Sequence, residues 1–314
     1  MVRFLWNARL RRVFVFGALF ASALPVAMPG RDASAAGAAP AAPTGCKLCK
    51  EWNQPVDPFR VYGNTWYVGP HGLSSVLITS DAGHVLIDGA LAESAPQIEA
   101  NIRKLGFRVE DVKYILNSHA HFDHAGGIAE LQAISHATVV ASPDGAAAIE
   151  RGRGDRGDPQ FLIAPAFPPV PNVRRVSDGE TLELGDISIT AHLTPGHTPG
   201  STSWTWKSCA AGHCVDVVYA DSLVAISDDV YRYTDEQSHP GVVAAFRRSI
   251  ATIAALPCDI VLSAHPDGSN LWERRDAAAD GSGLIDSSAC RRYADRASQR
   301  LDQRITEENA SAHP

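Results

Sequence analysis

A dense group of potential metal ligands follows the apolar run Val112–Leu116. The residues His119-Ala-His121-Phe-Asp123-His124 place three imidazoles and one carboxylate within six positions. Alternate residues of a strand point the same way, so His119 and His121 share a side, while Asp123 and His124 can turn back from the start of a helix. Four nitrogen and oxygen donors exceed what one catalytic metal with an open position needs, so we predict two metals. A polar loop with scattered histidines is the alternative, and it does not explain this density.

Two later histidines extend the predicted site. His197 lies in the turn-rich segment Thr194-Pro-Gly-His197-Thr-Pro-Gly200, and His265 follows a predicted strand at 259–263. Each is a weak signal alone, because a single histidine is more often a hydrogen-bonded structural residue. With the first group they make six ligands, which divide into two sites of three with room for solvent.

The first 35 residues have the pattern of a secretory signal peptide. Four arginines lie among the first twelve residues, and residues 13–24 are apolar but too short to span a bilayer. Ala33-Ser34-Ala35 offers a cleavage site, and Ala21-Ser22-Ala23 is an earlier option. An uncleaved amphipathic anchor is the alternative. We therefore expect a mature protein in the periplasm.

The charge balance disfavours a polyanionic partner. Without the leader, 23 of the 28 basic and 34 of the 35 acidic residues remain, which gives a net charge of −11 and no lysine–arginine block. Nucleic-acid binders need a cationic surface, so a nucleic acid is excluded as partner. No later apolar segment is long enough to span a membrane, and we expect a monomer that acts on a small molecule.

Six cysteines behind a signal peptide favour disulfides over free thiols. Local pairing predicts Cys209–Cys214 as a hairpin link and leaves Cys258–Cys290 to tie a strand to the last helix. Cys46-Lys-Leu-Cys49 could be a redox site or half of a zinc site, but no second ligand pair completes it. We favour a mutual disulfide or a loose N-terminal clip for this pair.

The order of elements predicts two sheets packed face to face with helices outside. Strands are predicted at 60–68, 74–79, 84–87, 112–116, 138–141, 181–184, 187–193, 202–206, 215–220 and 259–263, and helices at 94–105, 128–134, 144–150, 240–256 and 287–307. Residues 151–172 form a long proline-containing loop of a kind that is usually functional. No linker separates the halves, so we predict a flexible segment at 36–58 and a single domain at 59–314.

These motifs together resemble the metallo-β-lactamase superfamily, and most closely the third subclass of class B β-lactamases. The H-x-H-x-D-H motif is specific only to the superfamily, whereas its combination with other stretches is specific to the subclass. Those stretches are Tyr67-Val-Gly69, Gly72-Leu-Ser-Ser-Val76, Leu86-Ile-Asp88-Gly89, Asp158-Pro-Gln160, His197-Thr-Pro-Gly-Ser-Thr-Ser-Trp204 and Tyr219-Ala-Asp-Ser-Leu223. The resemblance covers residues 62 to the last helix and implies an α/β fold, the four-layer αββα sandwich, with a dizinc site at one edge.

The resemblance also implies ligands and a reaction. It places His119, His121 and His197 on a first zinc ion and Asp123, His124 and His265 on a second. The implied enzyme is a hydrolase that opens the β-lactam amide of penicillins, cephalosporins and carbapenems by attack of a zinc-bound hydroxide. Asp123 would orient that nucleophile as the catalytic residue. The alternatives are a thioesterase or lactonase of the same superfamily and a zinc-binding module without catalysis.

The resemblance also implies residues that contact the substrate. Ser222 matches a subclass serine that holds solvent or the substrate carboxylate, but its neighbour Asp221 lies where thioesterase-like relatives have a metal-bridging aspartate. Adjacent strand residues face opposite ways, so only one can face the metals, and we favour Ser222. Val224 replaces a hydroxyl that the family often has, Gln160 resembles a substrate-facing glutamine, and Asp88 is expected to support the histidine loop.

Overall fold

The computed structural model describes residues 46–277 and 282–311. The predicted signal peptide at 1–35, and residues 36–45 of the predicted flexible segment, lie outside the described residues. Within the described residues, no helix combines the length and apolar character needed to cross a membrane.

The first sheet has seven strands in sequence order, antiparallel from β1 to β4 and parallel from β4 to β7. Its strands are β1 (Phe59–Tyr62), β2 (Thr65–Tyr67), β3 (Val76–Ser80), β4 (Gly83–Ile87), β5 (Val112–Leu116), β6 (Thr138–Ala141) and β7 (Arg174–Arg175). The single strand predicted at 60–68 is a hairpin instead. Its turn contains Gly63, with φ +46°, and a Cβ there would lie 2.4 Å from the carbonyl oxygen of Cys209. Only glycine fits this backbone approach.

The second sheet has five strands in the order β12-β11-β10-β9-β8, with β11 and β12 parallel and the other pairs antiparallel. They are β8 (Thr181–Leu184), β9 (Ile187–Leu193), β10 (Thr202–Ala210), β11 (His213–Ala220) and β12 (Ile260–Ser263). Strands β10 and β11 extend beyond the predicted bounds because they meet in a two-residue turn. Ala211 and Gly212 both have positive φ, +49° and +82°, as such hairpin turns require.

Most helices pack on the outer faces of the sheets, and the helix that begins at Leu271 packs against the core between them. The helices are α1 (Cys49–Trp52), α2 (Ala95–Lys104), α3 (Phe122–Ala125), α4 (Ile128–Ser135), α5 (Pro143–Arg151), α6 (Val242–Ala255), α7 (Leu271–Asp276) and α8 (Ala289–Ser311). Short 3-10 helices occupy Ala92–Ser94, Val109–Asp111, Pro266–Ser269 and Ser282–Leu284.

Because successive side chains of a strand point to opposite faces, the strands form three apolar layers. In β4, Leu86 faces the core beneath α2, α4 and α5, while its neighbour Val85 faces the space between the sheets. In β11, Val217 faces the same inter-sheet core, and Val218 packs beneath α6 and α8. Because successive side chains point to opposite faces, strands that are apolar at every position can serve two cores at once. The predicted αββα sandwich is confirmed.

The three predicted disulfides form, as Cys46–Cys49, Cys209–Cys214 and Cys258–Cys290. The last pair joins the approach to β12 with α8 across a sequence separation of 32, whereas Cys209 and Cys214 are separated by only 5. A cross-link that closes a longer loop removes more conformational freedom from the unfolded chain.

The Cys258→Ala/Cys290→Ala double variant is expected to lose roughly 3 to 4 kcal/mol of unfolding free energy, because it releases the long loop. The matched Cys209→Ala/Cys214→Ala variant, which opens a short loop, is expected to lose about 2 kcal/mol. Urea unfolding of both variants and the parent measures the difference. An equal loss in the two variants would contradict the dependence on loop length.

Candidate active site

The histidines and aspartates of the candidate site lie just beyond the carboxyl ends of strands from both sheets. Asp88 follows β4, His119 follows β5, His197 follows β9, Asp221 follows β11 and His265 follows β12. These strand ends meet at one edge of the sandwich, where Thr202 N donates to Ser118 O at 2.7 Å. Trp204 Nε1 also donates to Asn117 O at 3.2 Å, so the second sheet holds the histidine loop of the first.

The first cluster consists of His119, His121 and His197, whose possible ligand atoms all lie within 4.8 Å of one another. All three are buried. Burial, followed by the charge of neighbouring histidines, holds the pKa of His119 well below its usual range and lowers that of His197 to about 3. These two imidazoles are therefore neutral near pH 7, the form that binds a metal.

One nitrogen of each ring in the first cluster is already engaged. His119 Nδ1 lies 2.7 Å from Asp221 Oδ1, and His121 Nε2 lies 3.0 Å from Asp158 Oδ2. His197 Nδ1 lies 2.9 Å from the carbonyl oxygen of Val224. These contacts leave His119 Nε2, His121 Nδ1 and His197 Nε2 as the nitrogens available to a metal, and they fix the ring orientations.

The second cluster consists of Asp123, His124 and His265. His124 Nε2 and His265 Nε2 are 3.2 Å apart, and Asp123 Oδ2 lies 3.5 Å from the first and 3.4 Å from the second. A tetrahedral zinc ion with bonds near 2.0–2.1 Å places its ligands about 3.3 Å apart, so these three donors have the spacing of one face of a zinc tetrahedron. The donor set therefore fits the metal that the sequence predicts.

The two clusters adjoin. His119 also lies within 4.8 Å of the donor atoms of Asp123 and His124, so a single histidine borders both groups. The ring centroids of His119 and His124 are 4.3 Å apart. Two metals held here would be near neighbours, in the arrangement that two-metal hydrolases use.

Asp88 lies beneath the clusters as a buried hydrogen-bonding centre. Its Oδ1 accepts from Ser118 N at 2.7 Å and from Asn117 Nδ2 at 3.0 Å. Its Oδ2 accepts from Ser118 Oγ at 2.6 Å and from Tyr219 OH at 2.8 Å, and it lies 3.7 Å from His124 Nδ1. Burial raises the pKa of Asp88 to about 7, although the hydrogen bonds from Ser118 and Tyr219 lower that pKa. Asp88 thus supports the histidine loop, as predicted.

The wall behind His265 comes from α1. The ring of Trp52 lies 5.1 Å from the His265 ring, between centroids. Gly72 N donates to Trp52 O at 2.9 Å, and Gly72 O lies 3.2 Å from His265 Nδ1. A Cβ at Gly72 would come within 2.6 Å of Trp52, so the glycine allows this contact. Cys49, also in α1, is buried in the core, although it lies within the segment 36–58 that the sequence predicts to be flexible.

The predicted substrate residues lie beside the clusters. Gln160 Nε2 is 3.3 Å from His197 Nε2, the nitrogen left for a metal. Ser222 is 5% exposed and lines a small cavity with His265. Asp221 is fully buried with its carboxylate against His119 Nδ1, and the 2.7 Å separation is that of a hydrogen bond rather than of two ligands on one metal.

Two residues that support the site are not indicated by the sequence. Asp158 orients His121, and its only sequence signal was the Asp158-Pro-Gln160 stretch inside the long loop. Trp52 packs against a histidine more than two hundred residues away, and nothing in the local pattern of 46–58 indicates that contact.

Comparison with known proteins places this arrangement in a family. Residues 68–265 match the metallo-beta-lactamase superfamily. The crystal structure of MEM-A1, a subclass B3 metallo-beta-lactamase from a soil metagenome library, is 52% identical, with 83% of this chain and 99% of that chain covered and a TM-score of 0.81. The Rm3 metallo-beta-lactamase is 50% identical, with 84% and 99% covered and a TM-score of 0.82.

Curated relatives match over a shorter span. A hydroxyacylglutathione hydrolase of Rhodopseudomonas palustris (strain HaA2) is 30% identical over 162 residues, which cover 49% of this chain and 54% of that protein. The chain spans about half the length of the hydroxyacylglutathione hydrolases that it matches. The region of this chain that matches the superfamily, residues 68–265, contains all six predicted ligands, and the predicted membership of that superfamily is confirmed. The chain belongs to the metallo-beta-lactamase superfamily, and the solved structures that resemble it over nearly their whole length include subclass B3 enzymes.

Proposed function

We propose that this protein is a zinc-dependent β-lactamase that hydrolyses penicillins, cephalosporins and carbapenems with two zinc ions per chain. The observation that carries this proposal is the pair of adjoining three-donor clusters, of which the second has tetrahedral ligand spacing. Structural zinc sites are closed by four protein ligands, whereas clusters of three leave a position for water or substrate. This difference argues against a zinc-binding module without catalysis.

His119, His121 and His197 would hold the first zinc ion, and Asp123, His124 and His265 the second. Imidazole-rich ligation suits zinc, and the glutamate that diiron relatives have at the second motif position is His121 here. When bound, zinc supplies a Lewis acid for the amide carbonyl and lowers the pKa of water towards neutrality.

Asp123 is the proposed catalytic residue. Burial disfavours its charge, but His124 and His265 outweigh burial and hold the pKa of Asp123 well below its usual range. Its carboxylate is therefore ionised at neutral pH. One oxygen lies among the second-cluster donors, and the other can accept a hydrogen bond from the attacking water and orient it.

Gln160 and Ser222 are the proposed substrate contacts. The Gln160 amide lies beside His197, on the side that the first cluster leaves for a substrate carbonyl. Ser222 lies beside His265 at the second cluster and offers a hydroxyl to the part of the substrate next to the leaving nitrogen. A substrate held between them would lie across both clusters with its amide bond in reach of the water.

A thioesterase or lactonase is the second candidate, favoured by the hydroxyacylglutathione hydrolase relatives. Enzymes of that kind use an aspartate in the region of Asp221 to bridge their metals. Here the Asp221 carboxylate is hydrogen-bonded to His119 Nδ1, and Asp221 belongs to neither cluster. The geometry therefore favours the β-lactamase.

Export to the periplasm is part of the same proposal. The signal-peptide pattern of residues 1–35 supports it, and so do the three disulfides, which form and persist in oxidising compartments.

Turnover of a carbapenem by the mature protein is expected to stop after treatment with a chelator and to return on addition of Zn²⁺. Absorbance of the lactam ring during steady-state hydrolysis measures it. A lactone and a thioester are assayed in parallel at the same enzyme concentration. Chelator-sensitive turnover of those two substrates without turnover of the carbapenem would establish the second candidate instead.

Removing one ligand from either cluster is expected to lower the bound zinc from two ions to one per chain. His197→Ala tests the first cluster and His265→Ala the second, with elemental analysis after gel filtration as the measurement. His192→Ala is the control, because His192 bonds to Thr205 away from both clusters. Retention of two zinc ions by His265→Ala would contradict the assignment of the second site.

The Asp158→Asn variant is expected to weaken binding of the first zinc ion roughly 10- to 100-fold, because loss of an orienting carboxylate frees the ligand ring. Competition with a fluorescent zinc chelator measures the affinity. Asp155→Asn is the matched control in the same loop, since Asp155 pairs with Arg151 on the surface. Equal zinc affinities in the two variants would show that Asp158 does not orient His121.

A further inference from the structure

A cavity of about 610 Å³ lies on the far side of the turn that carries His197. Pro195, Gly196 and Thr198 of this turn line the cavity, whereas His197 and the other five proposed metal ligands do not. Its other walls include the start of α5, the loop at 157–159 and the start of α6. The volume is that of a small-molecule site, for which roughly 300–1,000 Å³ is usual. We name this space the rear cavity.

The walls of the rear cavity are rigid and largely apolar. Ser249 Oγ on α6 donates to Pro195 O at 2.7 Å, and a Cβ at Gly196 would lie 2.3 Å from the Phe246 ring, so α6 holds the turn in place. Proline rings fix the backbone of the surrounding loops and present flat surfaces. The prolines that line the cavity are Pro143, Pro159, Pro195, Pro199 and Pro240. A preformed apolar cavity of this kind favours a flat, rigid ligand such as an aromatic ring.

Tyr231 supplies a hydrogen-bond donor to the rear cavity. Its side chain lines the cavity and is fixed by stacking on the ring of His239, at 3.8 Å between centroids, and by edge contact with Tyr233 at 5.3 Å. The residue is only 6% exposed, yet its hydroxyl has no hydrogen-bond partner in the part of the chain that the structure describes. Burial raises the pKa of Tyr231 to about 12, so this hydroxyl is protonated at neutral pH. Because a buried hydroxyl without a partner costs free energy, an acceptor bound in the cavity would relieve that cost.

Arg248 supplies a positive charge. Val242, Ala245 and Arg248 are three residues apart, so they share the face of α6 that lines the rear cavity. Arg248 is exposed, and within residues 46–277 and 282–311 it forms no ion pair, whereas its neighbour Arg247 pairs with Asp302 at 2.6 Å. The start of α6 adds to this charge, because no side chain caps it and its first turn contains no acid. The positive end of a helix that is left in this state attracts an anion.

Two acids near the rear cavity do not cancel this charge. Asp144 lines the cavity but lies in the first turn of α5, where a carboxylate offsets the positive end of that helix. Glu236 accepts a hydrogen bond from Gly241 N at 2.8 Å, ahead of α6, and does not line the cavity. The side of the cavity formed by α6 is therefore cationic.

We propose that the rear cavity binds a small aromatic carboxylate. The carboxylate pairs with Arg248, the ring packs against the proline surfaces, and the Tyr231 hydroxyl donates to an oxygen of the ligand. This inference goes beyond the proposed function and does not depend on it. A ligand held there touches the residues on both sides of His197 and of Asp158, so it would brace two loops that position the first metal cluster.

The test is isothermal titration calorimetry of the zinc-loaded protein with naphthoate, with the uncharged naphthamide and with the cationic naphthylmethylamine. Naphthoate is expected to bind most tightly. Arg248→Met is expected to weaken naphthoate binding roughly tenfold, as loss of a charged hydrogen bond does, and to leave naphthamide binding unchanged. Tyr231→Phe is expected to weaken binding of both compounds about threefold, since it removes one neutral hydrogen bond and keeps the ring. The zinc content is measured in every variant and is expected to stay the same.

Arg247→Met is the matched control, because it removes the same charge from the neighbouring position of α6, which does not line the rear cavity. Equal losses of naphthoate affinity in Arg248→Met and Arg247→Met would place the bound compound elsewhere, for example on the metals, and the proposal would be wrong. Tighter binding of the amine than of the carboxylate, or no binding of naphthoate by the parent, would also overturn it. No lactam is used in these titrations, so their outcome is independent of the proposed function.

Discussion

The site depends on the contact between a metal-facing imidazole and a fixed acceptor behind it, which four of the five proposed histidine ligands make. In each of these four histidines, the ring nitrogen that is not left for a metal makes this contact. His119 meets Asp221 and His121 meets Asp158. His197 and His265 meet the carbonyl oxygens of Val224 and Gly72, respectively. A buried ring without such a partner could rotate or exchange the roles of its two nitrogens, and its lone pair would then no longer point to the metal position. The acceptors come from three separate loops, which belong to both sheets, so the site assembles only when both sheets are in place.

The sandwich supplies those acceptors because its two sheets end at the same edge. Asp88 from the first sheet accepts a hydrogen bond from Tyr219 of the second, at 2.8 Å. The cost of burying that carboxylate is offset by its other donors, Ser118 and Asn117. The polar network is continuous from one sheet to the other, which makes the metal site and the packing of the sheets parts of one structure.

The sequence predicts the ligands and most strands because both depend on local patterns. The density of His119–His124 identifies the first ligands, and the bounds of β5, β6, β8 and β9 follow from apolar runs and alternation. The partners of the ligands could not be predicted in this way. Asp158 meets His121 across 37 positions, and Trp52 meets His265 across the whole domain, so only the folded chain brings them together. The hairpin at 60–68 was missed because Gly63 is required by a distant backbone contact rather than by its neighbours.

The position of α1 against His265 has a practical consequence for handling the protein. Cys46, which is bonded to Cys49, lies only six positions before Trp52, whose ring packs against the proposed zinc ligand His265. A histidine-rich affinity tag fused just ahead of Cys46 would carry additional imidazoles to the edge of the second cluster, where they could compete for the ion. A tag that follows α8 leaves the contact between Trp52 and His265 untouched, because Glu308 near the end of this helix accepts a hydrogen bond from Thr234 N at 2.8 Å. Metal content and activity are therefore best compared on protein tagged at that end.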